Sequence, residues 1–221
     1  MPRRYRLYRE HKFVSVQVSN LERFIAKVDF TDLKKVDKVK SKLDGVIELV
    51  ESHAKHEDEY IHPLLKKKVP QLIDMIESEH RDYKLMFDDL TKGLVEIETA
   101  KEKSQQVELG YQFYLAYRNF VAFNLTHLDE EESLVMPEIQ KYYTDQEIRE
   151  AVDFQVYAIM SVEDMVGMVT VLFPTMNIND KEAFIKDLND SQPEKFREAW
   201  PKIVSILNVG EREKLILSLG L

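Results

Sequence analysis

Two copies of one short pattern contain the residue types in this sequence that could do chemistry. The pattern is His-x3-Glu-x5-Pro, and it occurs as His53, Glu57 and Pro63 and again as His127, Glu131 and Pro137. A spacing of four residues places a histidine and a carboxylate on the same face of a helix. Two such pairs that face each other would offer imidazole nitrogens and carboxylate oxygens to one or two metal ions.

The helices that must position these residues are indicated by four segments with apolar residues at three- and four-residue steps. Each of the four apolar stripes contains one histidine, and these are His11, His53, His80 and His127. At a rise of about 1.5 Å per residue, the four histidines lie at similar distances from one end of an up-down-up-down bundle. The sequence therefore predicts an all-α, up-down-up-down four-helix bundle in which four histidines and two glutamates converge on one layer.

The alternative for each of these histidines is a core residue with a satisfied hydrogen bond. This alternative leaves two glutamates buried without partners, which is costly, whereas a bound cation offsets the cost. Metal binding is therefore the favoured interpretation. Mixed imidazole and carboxylate ligands suit iron, manganese or zinc, so the ligand types alone do not choose the metal.

The same stripes make predictions for the residues around the two glutamates. The stripe that contains Glu57 continues through Tyr60 and Leu64, and the stripe that contains Glu131 continues through Leu134. These three residues are therefore expected to face inward. His56 and His62 fall off the stripe and are expected to face solvent or to lie behind the ligands. Pro63 and Pro137 each remove one backbone hydrogen bond, so each is expected to bend or loosen its helix or to end it.

Composition excludes several classes of function. The chain has 221 residues, a formal net charge of −9 and no cysteine. The negative charge argues against nucleic-acid binding, and the absence of cysteine excludes disulfides and thiolate ligands. No apolar run approaches the length of a membrane span, and the basic N-terminus lacks the apolar stretch of a signal peptide. We therefore expect a cytoplasmic protein without a membrane contact. The basic N-terminus is expected to be a solvated helix end that contains Arg3, Arg4, Arg6 and Arg9.

The last third of the chain is predicted to be helical as well. One helix is expected over residues 145–172, with Met160, Met165 and Met168 in its core-facing part, followed by short helices. Asn179-x-x-Glu182 and Ser191-x-x-Glu194 have capping-box spacing. The expected organisation is a bundle at 1–143 and a helical extension at 144–221 that packs on it. This extension is also the expected surface for a second copy or a protein partner.

The set of motifs resembles the hemerythrin-like, or HHE cation-binding, domain over roughly residues 5–143. The segments that carry the resemblance are HAKHEDEYIHPLL, SEHRDY and THLDEEESLVMPEI. The resemblance implies two iron ions, Fe2+ or Fe3+, that bind dioxygen or a related small ligand. It implies that Glu57, Glu131 and a solvent oxygen bridge the ions. It also implies that His11, His53, His80 and His127 are terminal ligands.

One position departs from the family pattern. Oxygen-carrying members have a second histidine four residues after the one that corresponds to His80, and this chain has Lys84 there. Water, another carboxylate or the phenol of Tyr83 could take the vacant position, although core packing of Tyr83 with a hydroxyl hydrogen bond is favoured. Tyr60 and Tyr83 are expected beside the bound ligand.

The expected function is oxygen, redox or iron sensing or binding, rather than catalysis. No catalytic residue is assigned. A metal-stabilised interaction module without redox chemistry and an enzyme that consumes peroxide or nitric oxide remain alternatives.

Overall fold

The computed structural model describes residues 8–220, which contain helices and no strand. The α-helices are α1 (Tyr8–Ile25), α2 (Leu33–His56), α3 (His62–Lys66), α4 (Pro70–Thr99), α5 (Lys103–Glu130), α6 (Met136–Tyr142), α7 (Asp145–Ala151), α8 (Asp153–Ile159), α9 (Val162–Leu172), α10 (Ile178–Ser191), α11 (Pro193–Ile206) and α12 (Val209–Leu219). A short 3-10 helix, Phe173–Thr175, follows α9. The chain divides into two compact units, Val14–Ile139 and a second unit whose described residues are 8–13 and 140–220.

The first unit is a four-helix bundle, as the sequence predicted. Its core takes one apolar face from each long helix, including Val14 and Val18 of α1, Val39 of α2, Leu90 of α4 and Phe120 of α5. All of these side chains are buried. The hydroxyl of Tyr117 on α5 donates to the backbone carbonyl of Val18 at 3.0 Å, which satisfies a polar group inside the core.

A π-helical turn interrupts two of the long helices, and each of these turns begins at a glutamate of the repeated motif. Glu57–Ile61 lies between α2 and α3, and Glu131–Val135 lies between α5 and α6. The N–H of His62 donates to the carbonyl of Glu57, and the N–H of Met136 donates to that of Glu131, five residues back in each case. Pro63 and Pro137 lie two residues after the ends of these turns. The predicted loosening of the two helices is therefore present, and it begins at the glutamates.

The π-helical turns change which residues face the core. Each turn contains one residue more than an α-helical turn, so the residues after it are rotated by about 100° relative to an unbroken α-helix. Ile61 and Leu65 are therefore buried, whereas Tyr60 and Leu64 are only partly buried. Val135 and Met136 are buried, whereas Leu134 is 46% exposed. The predicted inward positions of Tyr60, Leu64 and Leu134 are wrong by one residue for this reason.

The C-terminal helices have a separate hydrophobic core. It includes Met165, Phe184, Phe196, Ile203 and Leu215, with Met160 and Met168 packed against it. The prediction that the methionines belong to a core is confirmed.

The single helix predicted over residues 145–172 is wrong, since α7, α8 and α9 replace it. Val152 makes the first break, between α7 and α8, because its backbone has φ −114° and ψ −82° and is not helical. At the second break Ser161 starts α9, because its side chain accepts the Asp164 N–H in a capping box. The predicted caps are also misplaced. Asn177 rather than Asn179 caps α10, and Ser191 lies within α10 as its last residue.

Buried charged residues tie the start of α1 to the helices of its own unit. Arg9 donates to Asp187 at 3.1 Å, and Lys12 donates to the buried Asp180 at 2.6 Å. Arg9 is therefore a buried ion-pair residue and does not belong to a solvated helix end, contrary to the sequence-based expectation. Arg3, Arg4 and Arg6 lie outside the described residues.

Within the described residues no single helix has both the length and the apolar character needed to cross a membrane. One pair of segments, Asp145–Ile159 with Val162–Thr175, meets the criterion by length and composition only, and it is bent by 116°.

Candidate metal centre

Four of the predicted ligands converge inside the bundle. One nitrogen or oxygen atom of each of these four residues lies within 4.8 Å of the corresponding atoms of the other three. The four residues are Glu57, His80, His127 and Glu131. Glu57 is 1% exposed and Glu131 is 2% exposed, so the carboxylates are buried. The Nε2 atoms of His80 and His127 are 3.2 Å apart. His127 Nε2 is 3.4 Å from Glu131 Oε1, and His80 Nε2 is 3.6 Å from Glu57 Oε2.

Two further carboxylates hold the rings of His80 and His127 from the other side. Asp58 Oδ1 lies 3.1 Å from His80 Nδ1, and Glu79 Oε2 lies 2.7 Å from His127 Nδ1. A proton on each Nδ1 would donate to these carboxylates and would leave the Nε2 lone pairs free to bind a cation. A carboxylate behind a ligating histidine is the usual arrangement at metal sites, because it orients the ring and increases its basicity.

Sequence reasoning missed Asp58 and Glu79. A signal was present, since each acidic residue directly adjoins a predicted ligand, Asp58 after Glu57 and Glu79 before His80. An acidic residue beside a ligand on one helix can reach the ligand of the neighbouring helix. Acidic residues are so frequent in this chain that the signal is weak without the tertiary structure.

His53 lies on the other side of the two glutamates. Its Nε2 is 3.3 Å from Glu57 Oε1, and one ligand atom each of His53, Glu57 and Glu131 lie within 4.8 Å of one another. His11 is buried and belongs to the second unit by the division of the chain. It lies three residues before Val14 on the continuous helix α1, so it extends the buried face of that helix.

The electrostatics of the cluster favour a cation. Burial raises the pKa of Glu131 well above its ordinary value, and the neighbouring charge of Glu57 raises it further. Burial opposes protonation of His80, but its contacts with Glu57 and Asp58 outweigh burial and raise the pKa of His80. A divalent cation between the two glutamates would remove their repulsion and compensate for their loss of hydration.

The donor atoms also have the spacing that a metal ion requires. Two donors bound to one ion at roughly 2.0–2.2 Å are about 3–3.5 Å apart when the angle between the bonds is near 90–110°. The separation of 3.2 Å between the two Nε2 atoms falls in this range. The residues present therefore fit a metal ion bound by imidazole and carboxylate.

Tyr83 packs in the core with a hydroxyl hydrogen bond, which is the alternative that the sequence favoured. Its hydroxyl accepts from Asn124 Nδ2 at 2.8 Å, and its ring meets the rings of His127 and Phe123 edge to face at 5.2 Å. Burial raises the pKa of the phenol, so the group is neutral. Tyr60 contacts the ring of His56 at 5.2 Å. Lys84 is exposed.

His62 lies deep in the protein, so it does not face solvent. It is 1% exposed, and its ring stacks on that of His80 with centroids 5.4 Å apart. The π-helical turn causes this position, because it rotates the residue five places after Glu57 toward the face that Glu57 occupies. Burial lowers the pKa of His62. His56 is partly buried.

A four-helix bundle with this cluster of buried histidines and glutamates defines a class of helical proteins that can bind metal inside the bundle. The chain belongs to one family of that class, the hemerythrin HHE cation binding domain, whose family model matches residues 4–139. This match covers more than half of the chain. No curated protein and no solved structure gave a match.

Proposed function

We infer that this protein is a non-haem di-iron protein that binds dioxygen or a related small ligand for oxygen, redox or iron sensing. The observation that carries this proposal is the convergence of Glu57, His80, His127 and Glu131 on one buried point. The family binds cations. The choice of iron rests on the resemblance of the motifs to the hemerythrin-like domain, since the ligand types alone do not choose the metal.

Glu57 and Glu131 would hold two ions in the proposed centre. His80 and His127 would supply nitrogen ligands to one ion, and His53 and His11 would supply them to the other. Support for His53 comes from its distance of 3.3 Å to Glu57. Support for His11 comes from its place on the buried face of α1, one turn before Val14.

The surroundings of the centre suit the binding of a small uncharged ligand. Tyr83 is buried beside His127, and the rings of Phe120 and Phe123 pack on Tyr83. These rings exclude water from one side of the cluster. Iron would supply the electrons for ligand binding, and the protein would hold the donors and keep the pocket dry.

The experiment that tests this proposal is iron loading without air. The purified chain is loaded with Fe2+, the iron per chain is counted, and dioxygen is then admitted while the visible spectrum is recorded. We expect two irons per chain and a new charge-transfer band. Reversal of the band on deoxygenation indicates reversible binding, and a permanent change indicates redox sensing.

A parallel sample with Zn2+ is the matched control, because zinc fits similar ligands but has no redox chemistry. If both metals raise the melting temperature equally and the iron sample shows no response to oxygen, the protein is a metal-stabilised module. If the chain binds no iron, the proposal is wrong. The cytoplasmic location and a partner or second copy at the C-terminal helices stay predictions, which fractionation and light scattering would test.

A further inference from the structure

A second group of metal-ligand side chains lies beside the proposed centre and shares His80 with it. Asp58, His62 and His80 each offer one atom to a group in which all atoms lie within 4.8 Å of one another. Asp58 Oδ1 is 3.0 Å from His62 Nδ1 and 3.1 Å from His80 Nδ1. The group therefore uses the Nδ1 atom of His80, whereas the proposed centre uses its Nε2 atom. An ion bound at Nδ1 would displace the Nδ1 proton to solvent, so His80 would be an imidazolate shared by the two sites.

The state of His62 indicates a ligand that the protein alone does not provide. Both ring nitrogens of His62 are buried, and neither has a hydrogen-bond partner among residues 8–220. Its Nδ1 is close to Asp58 Oδ1 but is not aligned for a hydrogen bond. A buried imidazole without hydrogen bonds is costly, and coordination of a cation by Nδ1 would offset part of this cost.

The group is also open to ions on one side. The side chain of Asp58 is 46% exposed, whereas that of His80 is 7% exposed. An ion can therefore reach the group from solvent through Asp58. Two nitrogens that each lie about 3 Å from one carboxylate oxygen suit a first-row divalent cation that keeps water in its remaining positions.

The second copy of the motif lacks this group, which makes it a feature of one half of the bundle. Met136 occupies the position after the second π-helical turn that His62 occupies after the first. Both residues are buried by the same rotation, but only His62 can ligate a cation of this kind.

We propose that Asp58, His62 and His80 form an outer cation-binding subsite for one further divalent ion. The proposal extends the proposed function and rests on it for the role of His80 Nε2 in the inner centre. The outer ion is bound more weakly than the inner ions, because it has three protein ligands and His80 is shared.

The test counts Co2+ ions in the full chain by titration, with the visible absorption of Co2+ as the signal. We expect three ions per chain for the unmodified protein and two for His62→Phe, which keeps an aromatic ring on His80. Asp58→Asn should also lose the third ion, and it changes a half-exposed side chain. Glu59→Gln is the matched control and should keep three, because Glu59 is exposed and pairs with Lys55.

The outcomes separate this proposal from the inner centre. Saturation of the unmodified protein at two ions, or retention of three by His62→Phe and Asp58→Asn, would overturn the outer subsite and leave the inner centre intact. If Asp58 only orients His80, Asp58→Asn weakens the inner ions without changing the number at saturation. A protein that binds no Co2+ contradicts both proposals.

Discussion

The Nε2 atoms of His80 and His127 lie 3.2 Å apart, although the two residues are 47 positions apart and come from different helices. Each ring is held at Nδ1 by a carboxylate, His80 by Asp58 and His127 by Glu79. Two ring nitrogens are thereby brought together within 4.8 Å of carboxylate oxygens of Glu57 and Glu131. This relationship suits the binding of a metal ion and provides direct tests.

Replacing Glu131 with alanine should abolish tight metal binding. Glu131 is shared by the donor groups on both sides of the cluster, so its loss removes a ligand from each ion. The metal content of the purified variant, measured by plasma mass spectrometry, checks this. Asp129→Ala removes an exposed carboxylate two residues earlier and should retain full metal content. Two ions per chain in Glu131→Ala would refute the assignment of the ligands.

Replacing Glu79 with glutamine should weaken metal binding without abolishing it. Glu79 accepts from His127 Nδ1 at 2.7 Å, and loss of such an orienting carboxylate typically lowers metal affinity by about 10–100-fold. A competition titration against a chelator of known affinity measures the change. Asp89→Asn on the exposed face of α4 is the control and should bind as the unmodified protein does. Equal affinities for Glu79→Gln and the control would show that Glu79 does not support the ligand.

Replacing Tyr83 with phenylalanine should lower stability but leave the metal content unchanged. The substitution keeps the ring and leaves the buried Nδ2 of Asn124 without its acceptor, which costs about 1–3 kcal/mol. Chemical denaturation of the metal-free protein measures the loss, and metal analysis measures the content. Loss of one ion in the variant would instead make Tyr83 a ligand.

The ion pair between Lys181 and Glu211 should make the stability of the C-terminal helices depend on pH. The hydrogen bond from Lys181 lowers the pKa of Glu211 below its ordinary value. A carboxylate whose pKa is lower in the folded state contributes stability above its unfolded-state pKa of about 4.3 and loses it as the pH falls through the folded-state value.

Glu211→Gln tests this, since glutamine keeps the capping-box geometry with Asn208. At pH 7 the variant should be less stable by about 0.5–1 kcal/mol, because the pair is partly exposed. The difference should shrink toward zero below pH 4 in denaturant titrations across this range. A difference that is constant from pH 7 to pH 3 would mean that the charge of Glu211 does not contribute.

The sequence by itself determined the helical fold and the nature of the proposed ligands. Apolar residues at three- and four-residue steps specify amphipathic helices, and the positions of the glutamates and of His80 and His127 on those faces carry them into one layer. These properties depend on local periodicity, which is visible in the chain. The two glutamates and these two histidines therefore converge in the structure as the spacing predicts.

Only the tertiary structure decided which residues surround these ligands. The π-helical turns insert one residue into the helical period, so they bury His62 and expose Leu134, and an α-helical pattern cannot anticipate this shift. Asp58 and Glu79 act on histidines of the neighbouring helix, and Arg9 pairs with Asp187, which is 178 positions away. Such contacts depend on how the helices pack, because packing brings distant parts of the chain together.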